Sequence, residues 1–292
     1  MPEGYSLKEF NSWKTGGSCA LLTAPHTVSE AADFLKCCKE NSRNFYILGG
    51  GTNILVADGY IDTAVLYTGH IWKMCAADRG EYTEIEATCG CTTKQLLAYS
   101  LDSSLTGLEF LTGIPGTLGG ALHGNAGGRS DYGFNRIVTE ITAIDKNCTL
   151  RKYSRDELKW EYRQCPVDSN DLLIASCKML LKKTVKSVVI SEIRKFAELK
   201  KGQPIGKATA GCVFKNPDGF SAGKLIDEAG CKGLRIGDAA VSATHANFIE
   251  NIGNAASDDI FKVCEFCREK VFEKFGVKLE YEIRFFGDFK KN

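Results

Sequence analysis

Apolar positions recur along this chain with the periods of both strand and helix. Residues 82–89 alternate: Ile85, Ala87 and Cys89 face one way and Glu84, Glu86 and Thr88 the other, which predicts a half-buried strand. Thr27-Val28-Ser29-Glu30 reads as a capping box opening a helix to about residue 40. Thr92 with Gln95, before a helix to about residue 101, and Ser154 with Glu157, before a shorter one, repeat the device. Residues 45–48, 63–66 and 172–181 predict further strands, and 137–144 with 149–153 a hairpin across Asp145-Lys146-Asn147. Past Lys182-Lys183-Thr184-Val185-Lys186, the spacing of Val189, Ile193 and Phe196 predicts an amphipathic helix ending at Lys200-Lys201-Gly202. Helices near 222–229 and 258–274 and strands at 246–249 and 279–285 complete the pattern, with no internal repeat. The expectation is an α+β chain in three lobes, 1–68, 69–185 and 186–292.

Composition narrows the function. The 292 residues carry 37 basic and 36 acidic side chains, so there is no general pull toward nucleic acid or an anionic membrane. No apolar run has the length of a membrane span. Met1-Pro2-Glu3-Gly4-Tyr5 lacks the basic and apolar regions of a signal peptide, so a soluble, cytoplasmic protein with no obligate protein partner is expected. Thirteen cysteines are many, but the odd number, the chain length and the missing export signal predict reduced thiols. Cys264 and Cys267 form a C-x-x-C pair on the apolar face of a predicted helix. No second pair completes a zinc site, so core packing and no metal are expected.

Two glycine-rich loops carry the candidate chemistry. One is Leu48-Gly49-Gly50-Gly51-Thr52-Asn53-Ile54; the other runs from Thr112 through Gly113-Ile114-Pro115-Gly116-Thr117 to Gly128. Glycine admits close approach of backbone to a ligand, and runs of N–H groups cradle phosphate oxygens. A single such loop reads as a turn; two at the ends of apolar elements could grip one long diphosphate ligand. Neither has the G-x-G-x-x-G context of a Rossmann site, and no P-loop is present.

The loops belong to an ordered set: NSWKTGG at 11–17, LGGGTNILVAD at 48–58, GLEFLTGIPGTLGGALHGNAGG at 107–128 and EYR at 161–163. It continues with AGCVFKNP at 210–217, AGKLIDEAGCKG at 222–233, HANFI at 245–249 and LEYEIRFFG at 279–287. The set resembles the UDP-N-acetylenolpyruvoylglucosamine reductase (MurB) family of peptidoglycan synthesis. The resemblance implies a two-lobed FAD-binding region of the vanillyl-alcohol-oxidase-like (PCMH-type) kind and a C-terminal α+β substrate domain. The short stretch between Arg163 and Cys212 resembles the family's shorter branch.

The implied reaction takes a hydride from NADPH through FAD to the terminal carbon of the enolpyruvyl group of a UDP-sugar. Charge then spreads into the neighbouring carboxylate, which calls for a fixed cation and an acid. By resemblance Arg163 meets that charge, and Glu282 stabilises the enolic intermediate with it. By spacing alone Arg163 reads as a surface ion-pairing residue and Glu282, like Glu280, as a solvated strand face. Cys212 stands where most members have serine as the proton donor. A thiol, with a reference pKa of about 8.5, is a better donor than an alcohol. The resemblance assigns FAD to Gly49, Gly50, Gly51, Thr52, Asn53, Ile54, Gly113, Ile114, Pro115, Gly116, Thr117, Gly120, His123, Asn125 and Ala126; position 123 often differs in the family. Lys200, Lys215 and Asn216 are candidates for the substrate's nucleotide, with Lys201 an alternative to Lys200. A related FAD-dependent oxidase and a non-catalytic FAD-binding protein are the alternative readings.

Overall fold

A computed structural model describes residues 4–127 and 132–289; Gly128, Met1, Pro2 and Glu3 lie outside the described residues. The chain folds as two compact units, each assembled from separated segments: 1–21, 51–63 and 202–292 in one, 22–50 and 64–201 in the other. The three-lobe reading cuts the chain differently, because helix Lys186–Leu199 packs within the second unit, on helix Thr93–Asp102 and the 3₁₀ turn Glu109–Leu111.

The second unit is built on an antiparallel sheet in the order Leu150–Ser154, Val138–Ile144, Leu173–Lys183, Tyr82–Thr88, Met74–Arg79. Register follows from burial. Cys177 sits opposite Ala87 and Ile141, and Met179 opposite Ile85, so the alternating apolar side chains share one face. That face packs with Leu96, Leu108, Phe110, Leu118, Leu122 and Phe134. Helix Val28–Glu40 buries Ala31 and Leu35 against Leu66, Ile71 and Leu173. Phe45–Leu48 pairs in parallel with residues 64–67. At Thr92 the capping box is complete: its hydroxyl accepts from Gln95 N at 3.1 Å and its N–H donates to Gln95 Oε1 at 2.8 Å. At Thr27 only half forms, because Glu30 accepts from His26 N instead.

In the first unit, helix Ser257–Phe275 covers a small sheet of Arg235–Ile236, Ala239–Val241 and Ile249–Asn251. Its core includes Trp13, Val213, Phe214, Ile226, Ile260, Cys264, Cys267 and Ile283. The 11–17 motif is a clasp of this unit. Trp13 Nε1 donates to Ile249 O, Asn251 Nδ2 donates to Trp13 O, each at 2.8 Å, and Thr15 Oγ1 donates to Ala255 O at 2.6 Å. The predicted strand at 279–285 is a ladder only at Arg284–Phe286, parallel to Ile54–Val56; Tyr281 makes a single bridge to Phe214. The strand expected at 246–249 starts instead at Ile249, because Phe248 N closes a turn on His245 O. Among the described residues no cysteine is joined in a disulfide. Cys264 and Cys267 are buried in the core, where burial pushes both thiols up. Among the described residues no helix is long and apolar enough to cross a membrane, and no group of three metal-ligating side chains forms.

Candidate active site

The second unit brings the start of the short glycine loop onto the long one. A Cβ at position 50 would stand 2.8 Å from Gly116 Cα, and one at position 49 would stand 2.8 Å from Thr117 Oγ1. At position 50, where the neighbour is backbone, only glycine permits that approach. The long loop is stitched to the turn and helix start that follow strand Tyr82–Thr88: Thr93 N donates to Gly116 O at 3.0 Å, Thr93 Oγ1 to Ile114 O at 2.6 Å, and Leu118 N to Cys91 O at 2.7 Å. Thr93 is buried and supports the loop, and nothing in its own residue type singled it out.

Around the loop, Thr112 Oγ1, Thr117 Oγ1 and Asn125 Oδ1 are buried with no hydrogen-bond partner among the described residues. Buried polar atoms are rarely left so. Thr117, at 4% exposure, lies beside both Gly49 and Gly120, a lining with little side-chain bulk. These groups fit the polar atoms of a dinucleotide such as FAD. His123 is exposed at the end of helix Leu118–His123. Gly50→Val is expected to weaken FAD binding 10–100-fold, since overpacking against backbone costs about 1–3 kcal/mol. Flavin absorbance of the purified variant, with unchanged far-ultraviolet circular dichroism, is the check.

The loop's far end orients the EYR turn. Asn125 adopts a left-handed conformation and is buried; its Nδ2 donates to Glu161 O at 2.8 Å, and Arg163 Nη1 donates to Asn125 O at 3.5 Å. Arg163 is left-handed too, and its guanidinium lies over the Tyr162 ring at 5.1 Å. Lys200, beyond helix Lys186–Leu199, reaches back so that its Nζ donates to Thr112 O, with its Cδ 3.2 Å from where a Gly113 Cβ would stand. Burial, and then the Arg163 charge, push the Lys200 ammonium down to about 8. Two cations are thus concentrated beside the glycine loop, an arrangement that an anion would relieve.

The first unit holds the remaining predicted residues. Glu282 N donates to Val213 O at 2.8 Å, so the backbones of Cys212 and Glu282 belong to one hydrogen-bonded pair of segments. Asn53 Nδ2 donates to Glu282 O at 3.0 Å, and Asn53 O accepts from Arg284 N at 2.9 Å. Gly51, Thr52 and Ile54 lie in this unit also, with Gly51 O accepting from Ser12 N. Asn216 Oδ1 accepts from Ala222 N, at the start of helix Ala222–Glu228, and the half-exposed Lys215 Nζ stands 3.3 Å from Glu280.

Comparison with known proteins gives this geometry its context. Residues 19–154 match the family model described as FAD binding domain, and residues 203–286 match that of the UDP-N-acetylenolpyruvoylglucosamine reductase C-terminal domain. Fold and site define an FAD-dependent oxidoreductase. The chain is 34% identical to the UDP-N-acetylenolpyruvoylglucosamine reductase of Caldicellulosiruptor saccharolyticus over 97% of its length and 91% of the relative's. It is 33% identical to that of Clostridium novyi, over 98% and 92%. The crystal structure of the Thermus caldophilus reductase matches with a TM-score of 0.81 at 29% identity, covering 98% of both chains. The chain belongs to the UDP-N-acetylenolpyruvoylglucosamine reductase family.

Proposed function

We propose that this chain reduces the enolpyruvyl group of UDP-N-acetylglucosamine enolpyruvate to give UDP-N-acetylmuramate, in the cytoplasm, with NADPH as the electron source. The observation that carries the proposal is the pair of cations, Arg163 and Lys200, placed on the glycine loop of the FAD binding domain. Bound FAD supplies the carrier that moves a hydride from the nicotinamide to the substrate's double bond. The chain's own residues manage charge and protons. Arg163 offers a planar fork to the substrate carboxylate as negative charge grows there. Cys212 gives its S–H proton to the carbon next to that carboxylate. Glu282 steadies the enolic intermediate, its backbone fixed by Val213 and Asn53. Lys200 compensates anionic charge of the substrate, and Lys215 and Asn216 serve the nucleotide end.

The test is NADPH consumption by FAD-loaded protein under air, with and without the enolpyruvyl substrate. Consumption that depends on the substrate supports the reductase. Rapid consumption without it indicates oxygen as acceptor, and none in either case, with FAD bound, indicates a binding protein or a different electron donor.

Lys200 adds a pH signature. Its folded pKa is depressed, so its positive charge is complete below about 8 and lost as pH rises through that value. UDP affinity is therefore expected to fall above pH 8 in the native protein and to be flat there in Lys200→Met. In the native protein, binding above pH 8 takes up a proton, measurable by titration calorimetry in buffers of different ionisation enthalpy. For stability the sign reverses. The folded state carries the cost of the ammonium below about 8, and that cost disappears toward the unfolded value of about 10.4.

A further inference from the structure

We propose that Asn247 is a positioning residue for the proton transfer assigned to Cys212, a role that rests on the reading of Cys212 as the acid. Asn247 is 3% exposed and lies in the core-facing part of the 245–249 motif. Its side-chain amide acts as a strand partner. Oδ1 accepts from Phe214 N at 2.9 Å, and Nδ2 donates to Phe214 O at 2.8 Å. Its main-chain O accepts from Val213 N at 2.8 Å. The turn that Phe248 N closes on His245 O interrupts regular pairing here, and the amide replaces the missing backbone contacts. An apolar side chain of the same volume would fill the space and leave the Phe214 N–H and C=O without those partners.

The anchoring matters for the thiol because of what lies on its other side. Gly211 is left-handed at φ +82, and among the described residues nothing stands within 4 Å of where its Cβ would be, so no side chain packs on that one position before Cys212. The segment is held instead from the far side, by Asn247 on one edge and by the Glu282 N to Val213 O bond on the other. Cys212 also bridges Phe248, the residue after Asn247. One buried amide thus fixes one edge of the segment that carries the acid, while the Glu282 N to Val213 O bond fixes the other.

Asn247 is itself oriented by His245, whose Nδ1 accepts from Asn247 N at 3.3 Å. Burial lowers the His245 pKa, which favours the neutral ring that this acceptor needs. In the transfer, the Cys212 S–H bond breaks and a C–H bond forms on the substrate. The thiolate then regains a proton from water, and no electrons leave the sulfur. The amide's contribution is distance and direction, and a misplacement of about 1 Å costs about 100-fold in rate.

The test is a single turnover of the FAD-loaded protein: reduction by NADPH, then reoxidation by the enolpyruvyl substrate. Asn247→Ala is expected to reduce its flavin within twofold of the native rate and to reoxidise it about 100-fold more slowly. Asn247→Asp supplies the signature that a merely structural role would not give. Its protonated carboxyl can both accept from Phe214 N and donate to Phe214 O, so reoxidation should recover as pH falls, a limb absent from the native profile. Alkylation of Cys212 by iodoacetamide, followed by peptide mass spectrometry without turnover, should be several-fold faster in Asn247→Ala. The proposal is overturned if Asn247→Ala reoxidises within threefold of the native rate, or if Asn247→Asp shows no pH-dependent recovery. Should Asn247→Ala fail to fold, the Asp variant decides alone. Cys212→Ala, run alongside, separates the two levels: fast reoxidation there removes the acid assignment, whereas slow reoxidation there with a native-like Asn247→Ala removes only the positioning role.

Discussion

Cys212→Ala should slow reoxidation of the reduced protein by the enolpyruvyl substrate by about 10²–10⁴-fold, the range a positioned general acid contributes. Reduction by NADPH should proceed, because the proton is needed only after charge has reached the substrate. Stopped-flow absorbance of the flavin separates the two half-reactions. Cys212→Ser should recover much of the loss, since a hydroxyl occupies the same place and can donate. The local structure favours this outcome. Val213 and Phe214 are both buried and bonded on two sides, so a small change at 212 leaves the segment in place.

Arg163→Ala should lower kcat and kcat/KM together by about 10²–10³-fold, the cost of removing one preorganised donor from a developing negative charge. FAD content should be unchanged, because the Asn125 amide holds the turn through Glu161 O without the guanidinium. Arg163→Lys should restore little. A compact ammonium lacks the planar fork, and Lys200 already supplies a point charge close by. Steady-state kinetics with varied substrate makes the measurement. A rise in KM alone would place Arg163 in ground-state binding only.

Local signals in the sequence were the readable ones. The Thr92–Gln95 and Ser154–Glu157 boxes form, because a cap needs only residues a turn apart. The alternation from 82 to 88 gave the sheet's buried face, since period two maps onto a strand without tertiary information. Strand Met74–Arg79 was missed: it has no β-branched residue and an exposed edge, and its pairing with Tyr82–Thr88 defines it. The interleaving of the two units was hidden as well, because no linker composition marks the points where the chain passes between them.

At the site, the glycine loops were legible as a pair of close approaches, but the contact of Gly50 with Gly116 is tertiary. Arg163 and Glu282 stood out only by family resemblance, since their spacing resembled surface charge. The Lys200–Arg163 proximity depends on how helix Lys186–Leu199 ends against the 112–113 turn, which no local pattern encodes. No local pattern in His245-Ala246-Asn247-Phe248-Ile249 singles out Asn247. Its pairing with Phe214 becomes visible only when the two segments lie side by side.

The most direct test of the central claim is an anaerobic single turnover with product analysis. FAD-loaded protein is reduced with one equivalent of NADPH and then mixed with UDP-N-acetylglucosamine enolpyruvate. The account predicts that oxidised-flavin absorbance returns and that UDP-N-acetylmuramate appears in equal amount. Flavin that stays reduced in the presence of the substrate, or that reoxidises without forming the product, would contradict it.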